Sequence, residues 1–406
     1  MRRSFTFKLD ISLFIQVLIL ITIGLFAVYS ATRTPDAAET GLFNKQLSFA
    51  LFGIIIILLA AYIPFRLFER LAAPLYILSV LLLIAVYFIG AKGQGIARWI
   101  ALGPLKIQPA EIAKLSTILM TAKYLSSREV NINRFKHLSI TFLIILLPFI
   151  LIAKQPDLGT SLVFLALLIP VLFWADLNWF ALFVIISPAL TMLLSFNFYA
   201  LLAWMFVLSV ILYLSRRKTI FLILIFLSHI FIGMITPQLW GQLKPYQQKR
   251  ILTFADPESD PKGAGYQIIQ SKVAIGSGGI WGKGYMEGSQ TQLRFLPAQH
   301  TDFIFSVIGE EKGLIGVIFT LIVFLMLLLY LLYLASIVKS RFSSMVIIGI
   351  TTVLFFHIVI NVGMTVGLAP VTGLPLPFIS YGGSFLLSTL LMIAVVNNFS
   401  VNRFEI

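Results

Sequence analysis

Three carboxylates stand close together in Asp256-Pro-Glu-Ser-Asp260-Pro, inside the only long polar stretch of this chain, residues 238–302. Two Asp-Pro steps favour turns and extended backbone, so Asp256, Glu258 and Asp260 are presented on a constrained loop, where a carboxylate could serve as a general base. A solvated acidic turn is the competing reading for any one of them, because surface carboxylates are the norm. The same stretch carries Lys244, Lys249 and Arg250 beside Tyr246, suited to interfacial anchoring or to holding phosphate, and the triplet His300-Thr301-Asp302. Gly276-Ser-Gly-Gly-Ile-Trp-Gly-Lys-Gly284 follows no strand and has no βαβ context, which excludes a dinucleotide fingerprint. Its glycines permit tight turns close to a ligand. A charged, aromatic, glycine-rich loop of this kind handles a headgroup or a solute at the water interface.

The elements that must position this loop are membrane spans. With 406 residues, 59% hydrophobic, 11% charged, and a mean hydropathy of +0.98, the chain is too apolar for a soluble fold and too long for one or two anchors. It reads as an all-α, polytopic helical membrane protein, a single integral membrane domain over 1–406. Cysteine is absent, so neither disulfides nor a Cys-based metal site can form. The net charge of +14 is scattered between apolar runs, which points to anionic headgroups or a phosphate-bearing substrate and excludes nucleic acid. Arg2, Arg3 and Lys8 precede an apolar run too long for a cleavable signal, so that run is an uncleaved first span.

Apolar runs at about 11–30, 46–63, 73–90, 108–125, 139–153, 158–174, 179–195, 199–214, 219–237, 306–337, 344–368 and 377–399 give about twelve helices. The short runs over 139–174 and 179–214 could also be re-entrant. With a cytoplasmic N-terminus, Arg66/Arg70, Arg128/Arg134/Lys136, Arg216/Arg217/Lys218, Lys339/Arg341 and Arg403 all fall on the cytoplasmic side. Residues 31–45, 91–107, 154–157, 238–302 and 369–376 then face outward together. Within the long loop, Tyr266, Ile269, Val273 and Ala274 fall near helical spacing and predict a short amphipathic helix on the membrane surface over 264–275.

Polar breaks in three spans lie at the same outward level. Glu111 and Lys114, at i,i+3 in Gln108-Pro-Ala-Glu-Ile-Ala-Lys114, share one helical face, and the cost of charge in a bilayer makes them a mutually neutralising, inward-facing structural ion pair. Lys154-Gln-Pro-Asp-Leu-Gly-Thr160 and Gly373-Leu-Pro-Leu-Pro-Phe-Ile-Ser-Tyr-Gly-Gly-Ser384 are irregular segments of a kind tolerated at membrane depth only against protein or a wet cavity. Three such breaks at one level imply one cavity. His137, His229 and His357 have no metal-ligand spacing and read as packed or interfacial side chains, and no metal site is predicted.

Together these segments resemble the SEDS family (shape, elongation, division and sporulation), in its RodA-type branch. The resemblance rests on Arg98-Trp99-Ile with Gln108 to Lys114, on Lys154 to Thr160, on the stretch from Asp256 to Lys272, on Ile275-Gly-Ser-Gly-Gly279, on Leu296-Pro-Ala-Gln-His-Thr-Asp-Phe-Ile-Phe305, and on Pro375 to Ser384. It implies a peptidoglycan glycosyltransferase that polymerises lipid II at the outer face of the bacterial cytoplasmic membrane, with both termini cytoplasmic, alongside a class B penicillin-binding protein. The family's essential loop aspartate aligns with Asp260, and its helix-four ion pair with Glu111 and Lys114. The matching motifs make Arg98, Trp99, Lys106, Gln108, Lys154, Gln155, Asp157, His300, Thr301, Asp302 and Ser380 the expected substrate contacts. Diphosphate is a good leaving group, so one carboxylate base suffices, and Arg98, Lys106, Lys154 and the Lys244 to Arg250 group are expected to meet its charge, with Mg2+ or Mn2+ as a candidate bridging cofactor. One departure is that nine helices precede the large loop where the family has seven, which predicts an extra hairpin over 199–237. Two other readings compete: a lipid II flippase, which would put a polar site near the midplane, and a non-enzymatic scaffold of the cell-wall synthase.

Overall fold

A computed structural model describes residues 9–33, 37–89, 91–93, 96–102, 105–243, 248, 252–254, 256–259 and 263–404. Helices α1 (Ile11–Thr32), α2 (Ala37–Ala60) and α3 (Phe65–Ile89) are followed by a small sheet, then by α4 (Pro109–Ser126), α5 (Phe135–Ala153), α6 (Leu158–Trp174), α7 (Trp179–Leu194), α8 (Phe198–Leu214) and α9 (Thr219–Gln242). After the polar loop come α10 (Ala264–Ser277), the single turn α11 (Ser289–Gln292), α12 (Ile304–Ile337), α13 (Arg341–Val366) and α14 (Gly383–Val401). Eight of these are long and apolar enough to cross a bilayer, and α6, α7 and α8 are shorter apolar helices. The chain is therefore a multi-pass helical membrane protein whose helices follow the predicted apolar runs.

Local chemistry sets many of the boundaries. Asp10 caps α1 by accepting from Leu13 N at 3.1 Å, and Asp157, Asn178, Asn197 and Ser340 cap α6, α7, α8 and α13 in the same way. Gly367, at φ 77°, ends α13 in the left-handed conformation that an L side chain resists. The segment read as a plain loop between α3 and α4 is instead a three-stranded antiparallel sheet, β1 (Ala91–Gly93), β2 (Ile96–Leu102) and β3 (Leu105–Ile107), in order β1-β2-β3. Ala91 pairs with Trp99, and Ile100 with Ile107.

The spans are buried unequally. In the most apolar windows of α13 and α14, 72% of residues are buried, against 22% in α9. The main core runs through α1, α4, α6, α12, α13 and α14. Helices α7, α8 and α9 pack mainly on one another around a separate cluster of Leu208, Leu212 and Ile225, flanked by Phe180, Phe183 and Trp204. At the end away from the polar loop, Asn398 Nδ2 donates to the carbonyls of Ala60 at 2.8 Å and Ile63 at 2.7 Å, and Tyr330 donates to both oxygens of Asp10 at 2.9 and 2.8 Å. The Asn398 bonds satisfy backbone groups where water is scarce, and the Tyr330 bonds hold the Asp10 carboxylate.

Helix α12 is not one rod. Gly313 has φ 63° and ψ −162°, which breaks the ladder and frees carbonyls of the first segment. The glycine run supplies the missing partners: Lys283 N and Gly284 N donate to the carbonyls of Glu310 and Glu311 at 3.0 and 3.2 Å, while Leu314 N and Ile315 N donate to those of Gly279 and Ile280 at 2.9 and 3.2 Å. A Cβ on Gly282 would lie 2.1 Å from the Glu311 carbonyl oxygen, and one on Gly278 would lie 2.1 Å from that of Gly309. The expectation that these glycines let the backbone approach a ligand is thus replaced at 278 and 282 by close backbone packing against α12.

Candidate functional site

Helix α4 starts at Pro109, where the missing N–H costs nothing, with Gln108 as its cap residue. Gln108 Nε2 points to Asp157 Oδ2 at 3.5 Å, and the guanidinium of Arg98, on β2, stands 3.7 Å from the same oxygen. A second Arg98 nitrogen donates to the carbonyl of Pro156 at 2.5 Å. The Asp157 carboxylate also accepts from Thr160 N at 3.3 Å at the head of α6. The sheet, α4 and α6 therefore meet at one polar knot. Arg98 Nε is buried and has no hydrogen-bond partner among the described residues.

The third break closes onto this knot. A Cβ on Gly159 would lie 2.6 Å from the carbonyl oxygen of Thr372, so α6 begins in direct contact with the loop before α14. Asn361 of α13 donates one amide to the carbonyls of both Asp302, at 2.9 Å, and Leu374, at 2.8 Å. Ser380 Oγ donates to the Thr301 carbonyl at 2.6 Å and accepts from Leu376 N at 2.8 Å, while the Ser380 carbonyl accepts from Gln46 of α2 at 3.1 Å. Tyr381 N donates to the His300 carbonyl at 2.9 Å, and the two rings sit edge to face at 5.7 Å. Burial pushes the Tyr381 hydroxyl up from its usual range, so it stays a protonated donor at neutral pH.

The expected contacts thus fall into groups. Arg98, Gln108 and Asp157 come together, as do His300, Thr301, Asp302 and Ser380. Lys154 and Trp99 are exposed near the first group, Lys154 as the last residue of the α5 turn and Trp99 on β2. Gln155 is buried and turns away to the Leu83 carbonyl at 3.1 Å, and the Ser380 hydroxyl is buried and used within its own loop, so the structure places both as braces. Lys106 is paired with Ala101 across β2 and β3, its side chain outside the described residues. Asp260 and the Lys244, Lys249 and Arg250 group also lie outside the described residues. The flanking turn Pro257–Ser259 packs on α10, and α10 packs on α12 and α13. Ile268 of α10 is buried with Leu296, Phe303 and Met364, and Ser271 bonds to Ser306 Oγ at 2.7 Å and to the Thr365 carbonyl at 2.6 Å. The amphipathic helix predicted to lie on the membrane surface therefore buries its inner face against protein.

Below the knot, the ion pair is as expected, with Lys114 Nζ 2.8 Å from Glu111 Oε1 and both residues buried. The pair is larger than the sequence showed. Ser388 of α14 donates to Glu111 Oε2 at 2.6 Å, Lys114 lies 5.1 Å from the Phe385 ring centroid, and its Nζ is 3.3 Å from His357 Nε2 on α13. His357 Nδ1 faces the Pro375 carbonyl at 3.1 Å. A carbonyl can only accept, so Nδ1 carries the proton and Nε2 offers its lone pair to the ammonium. An apolar cavity of about 300 Å³ runs down from Gln108 and Glu111 between α2, α3, α4 and α14, walled by Ile56, Leu75, Leu115 and Leu391.

Sequence reasoning set His357 aside as a lone histidine. A lysine with three donors and one carboxylate for a partner was the available signal that another acceptor had to come from a second helix. Glu310 and Glu311 were also missed, although adjacent acids at the head of an apolar helix demand partners. Glu310 accepts from Gln290 N at 2.8 Å, Thr291 N at 3.0 Å, Thr291 Oγ1 at 2.8 Å and Lys283 Nζ at 2.9 Å, and Glu311 accepts from Ser30 of α1. Glu310 fastens the glycine-rich loop and α11 to α12, and Glu311 ties α12 to α1.

Comparisons with known proteins place the chain in a family. A family model described as "Cell cycle protein", covering FtsW, RodA and SpoVE, matches residues 10–204 and 182–405. The peptidoglycan glycosyltransferase MrdB of Escherichia coli (strain K12) is 35% identical over 97% of this chain and 94% of its own, and the peptidoglycan glycosyltransferase RodA of Treponema pallidum (strain Nichols) is 34% identical over 93% and 94%. Among solved structures, one reported under "Structural coordination of polymerization and crosslinking by a peptidoglycan synthase complex" is similar with a TM-score of 0.73 and 31% identity over 98% of this chain and 99% of that one. The Thermus thermophilus rod shape determining protein RodA is similar with a TM-score of 0.65 and 28% identity over 98% of each. This chain belongs to the family of FtsW, RodA and SpoVE.

Proposed function

We propose that Asp260 is the general base of glycan polymerisation at the end of the bundle that carries the polar loop. The chain is a peptidoglycan glycosyltransferase, as are its relatives of similar length. The observation that carries the mechanistic reading is the polar knot of Arg98, Gln108 and Asp157 directly above an apolar groove of about 300 Å³, an arrangement suited to a substrate with a charged head and a greasy tail. In the reaction, the acceptor sugar hydroxyl of one lipid II attacks the anomeric carbon of the other. Its proton passes to Asp260 while the bond to the undecaprenyl diphosphate breaks, and inversion gives the β-linkage. The diphosphate leaves with its own negative charge, so cations serve it better than a second acid does. Arg98 is proposed for this role, supported by its unpartnered Nε, together with Lys154, Lys106 and the Lys244 to Arg250 group. Trp99, His300 and Asp302 are proposed to contact the sugars, while Gln155 and Ser380 hold the loops that carry them.

Mg2+ or Mn2+ bridging the phosphates is proposed as a cofactor, and no step above is routed through it. The loop end faces outward and both termini are cytoplasmic, by the Lys and Arg content of the opposite turns. A class B penicillin-binding protein is the proposed partner, supported by the likeness to a chain of a peptidoglycan synthase complex. Residues 199–237 are proposed as a hairpin added to the family core, a reading supported by α8 and α9 packing mainly on one another and on α7.

A lipid II polymerisation assay on the purified protein, with and without the partner, tests this reading. Asp260→Asn should fold normally and lose about 10²- to 10⁴-fold in rate. Strand synthesis by that variant near the wild-type rate would exclude Asp260 as the base. A flippase forms no glycosidic bond in detergent, and a scaffold tolerates the substitution, so the same assay separates both.

A further inference from the structure

The separately packed helices α7, α8 and α9 leave a cleft against α5 at the end of the bundle away from the polar loop. Its volume is about 600 Å³, and its walls are Leu138 of α5, Leu177, Ala181, Val184 and Ile185 at and within α7, and Phe221 of α9. It follows α7 from Asn178 to Ile185, a depth of roughly 10 Å at the helical rise. The rim is built. Asn178 N and Nδ2 donate to Asn133 Oδ1 at 2.9 and 2.8 Å, and Asn133 Nδ2 donates to the Asp176 carbonyl at 3.1 Å, which staples the α4–α5 connection to the head of α7.

Two cations stand at the mouth. Arg217 and Lys218, in the α8–α9 turn, both line the cleft and are exposed, and neither has an ion-pair partner among the described residues. Arg216, at φ 50°, makes the tight turn that brings them there, and the Arg217 guanidinium lies 5.6 Å from the Phe180 ring centroid at the rim. Arg134 and Lys136 add positive charge at the same end, while Asp176 lines a separate neighbouring hollow with Phe173 and Trp179. An apolar slot at membrane depth with unpaired cations at its mouth matches one chemistry, an acyl chain under an anionic phosphate head. A transmembrane helix about 10 to 12 Å across would need roughly 800 Å³ or more over that depth.

We propose that this cleft binds an anionic diacyl phospholipid, with its phosphate between Arg217 and Lys218 and an acyl chain between α5 and α9, and that the lipid joins α7–α9 to the bundle. The test uses the full-length protein reconstituted in phosphatidylcholine vesicles with and without phosphatidylglycerol, then read by native mass spectrometry for retained lipid and by thermal melting. Wild type should retain phosphatidylglycerol and melt higher in its presence. The double variant Arg217→Ala/Lys218→Ala should hold it about 30-fold more weakly, at the usual contribution of each of the two cations near an anionic surface. Arg217→Lys/Lys218→Arg should restore retention. Ala181→Phe should expel the lipid with both cations in place, and unchanged glycan polymerisation should show that each variant is folded. Equal retention of the two lipids by wild type, or phosphatidylglycerol binding unaffected by Ala181→Phe and by the double alanine variant, would overturn the proposal. So would a co-purifying membrane protein displaced by Ala181→Phe in place of the lipid.

Discussion

Helices α13 and α14 are less apolar in sequence than the sheaf of α7–α9, and the two groups are held in opposite ways. The first pair is largely enclosed and is crossed by polar ties: Asn361 to two carbonyls, His357 to Lys114 and Pro375, Ser388 to Glu111. Among the described residues the sheaf has few such ties within the membrane, chiefly Trp204 Nε1 to Thr191 Oγ1 at 2.8 Å and His229 Nε2 to Ser187 Oγ at 2.9 Å besides the Asn133 staple at the head of α7, and most of α9 faces lipid. Hydrophobic burial gives little preference for one helix neighbour over another inside a bilayer, so position there is specified by hydrogen bonds and close packing. The loop end of the bundle is fixed by such bonds because a site must keep its geometry. The sheaf can be held loosely.

The sharpest way to break this contrast is Glu111→Ala. It leaves the Lys114 ammonium buried without its carboxylate and should cost about 3 to 5 kcal/mol of stability, read as a lower melting temperature. Adding Lys114→Met should recover most of that loss, since an apolar pair of similar volume needs no neutralisation. Melting unchanged in the single variant would mean that the pair carries no structural weight. His357→Leu should have a smaller effect, about 1 to 3 kcal/mol, because it strands the Pro375 carbonyl and one Lys114 donor; a neutral result would reduce His357 to packing. At the other extreme, Phe206→Ala on the lipid face of α8 should shift stability by no more than about 0.5 kcal/mol, and a larger loss would show that the sheaf is as tightly specified as the core.

Much of this organisation could be read before any coordinates. Apolar runs located the spans to within a few residues, apart from the polar first turns of α2 and α3, the last turn of α9 and the start of α14, because hydrocarbon thickness fixes helix length. Glu111 and Lys114 declared themselves through i,i+3 spacing, and the three polar breaks do meet. The sheet at 91–107 stayed hidden because its strands are three to seven residues long and embedded among membrane spans, although Gly93-Gln-Gly95 and Gly103-Pro104 carry turn residues. His357 stayed hidden because its partner is 243 positions away, beyond the reach of any periodicity. The break at Gly313 looked like one glycine in a long helix, since what stabilises it is the backbone of a distant loop.

That break has a consequence for exchange of backbone protons with water. Lys283, Gly284, Leu314 and Ile315 belong by sequence to a connector and to the middle of a membrane span, yet their amides close a single reciprocal ladder. They should exchange deuterium together, slowly and in one cooperative opening, so this stretch of connector behaves kinetically as part of a helix it is not joined to by regular winding. Labelling that exposes the Lys283 and Gly284 amides within seconds while Leu314 and Ile315 stay protected for hours would dissolve that unit.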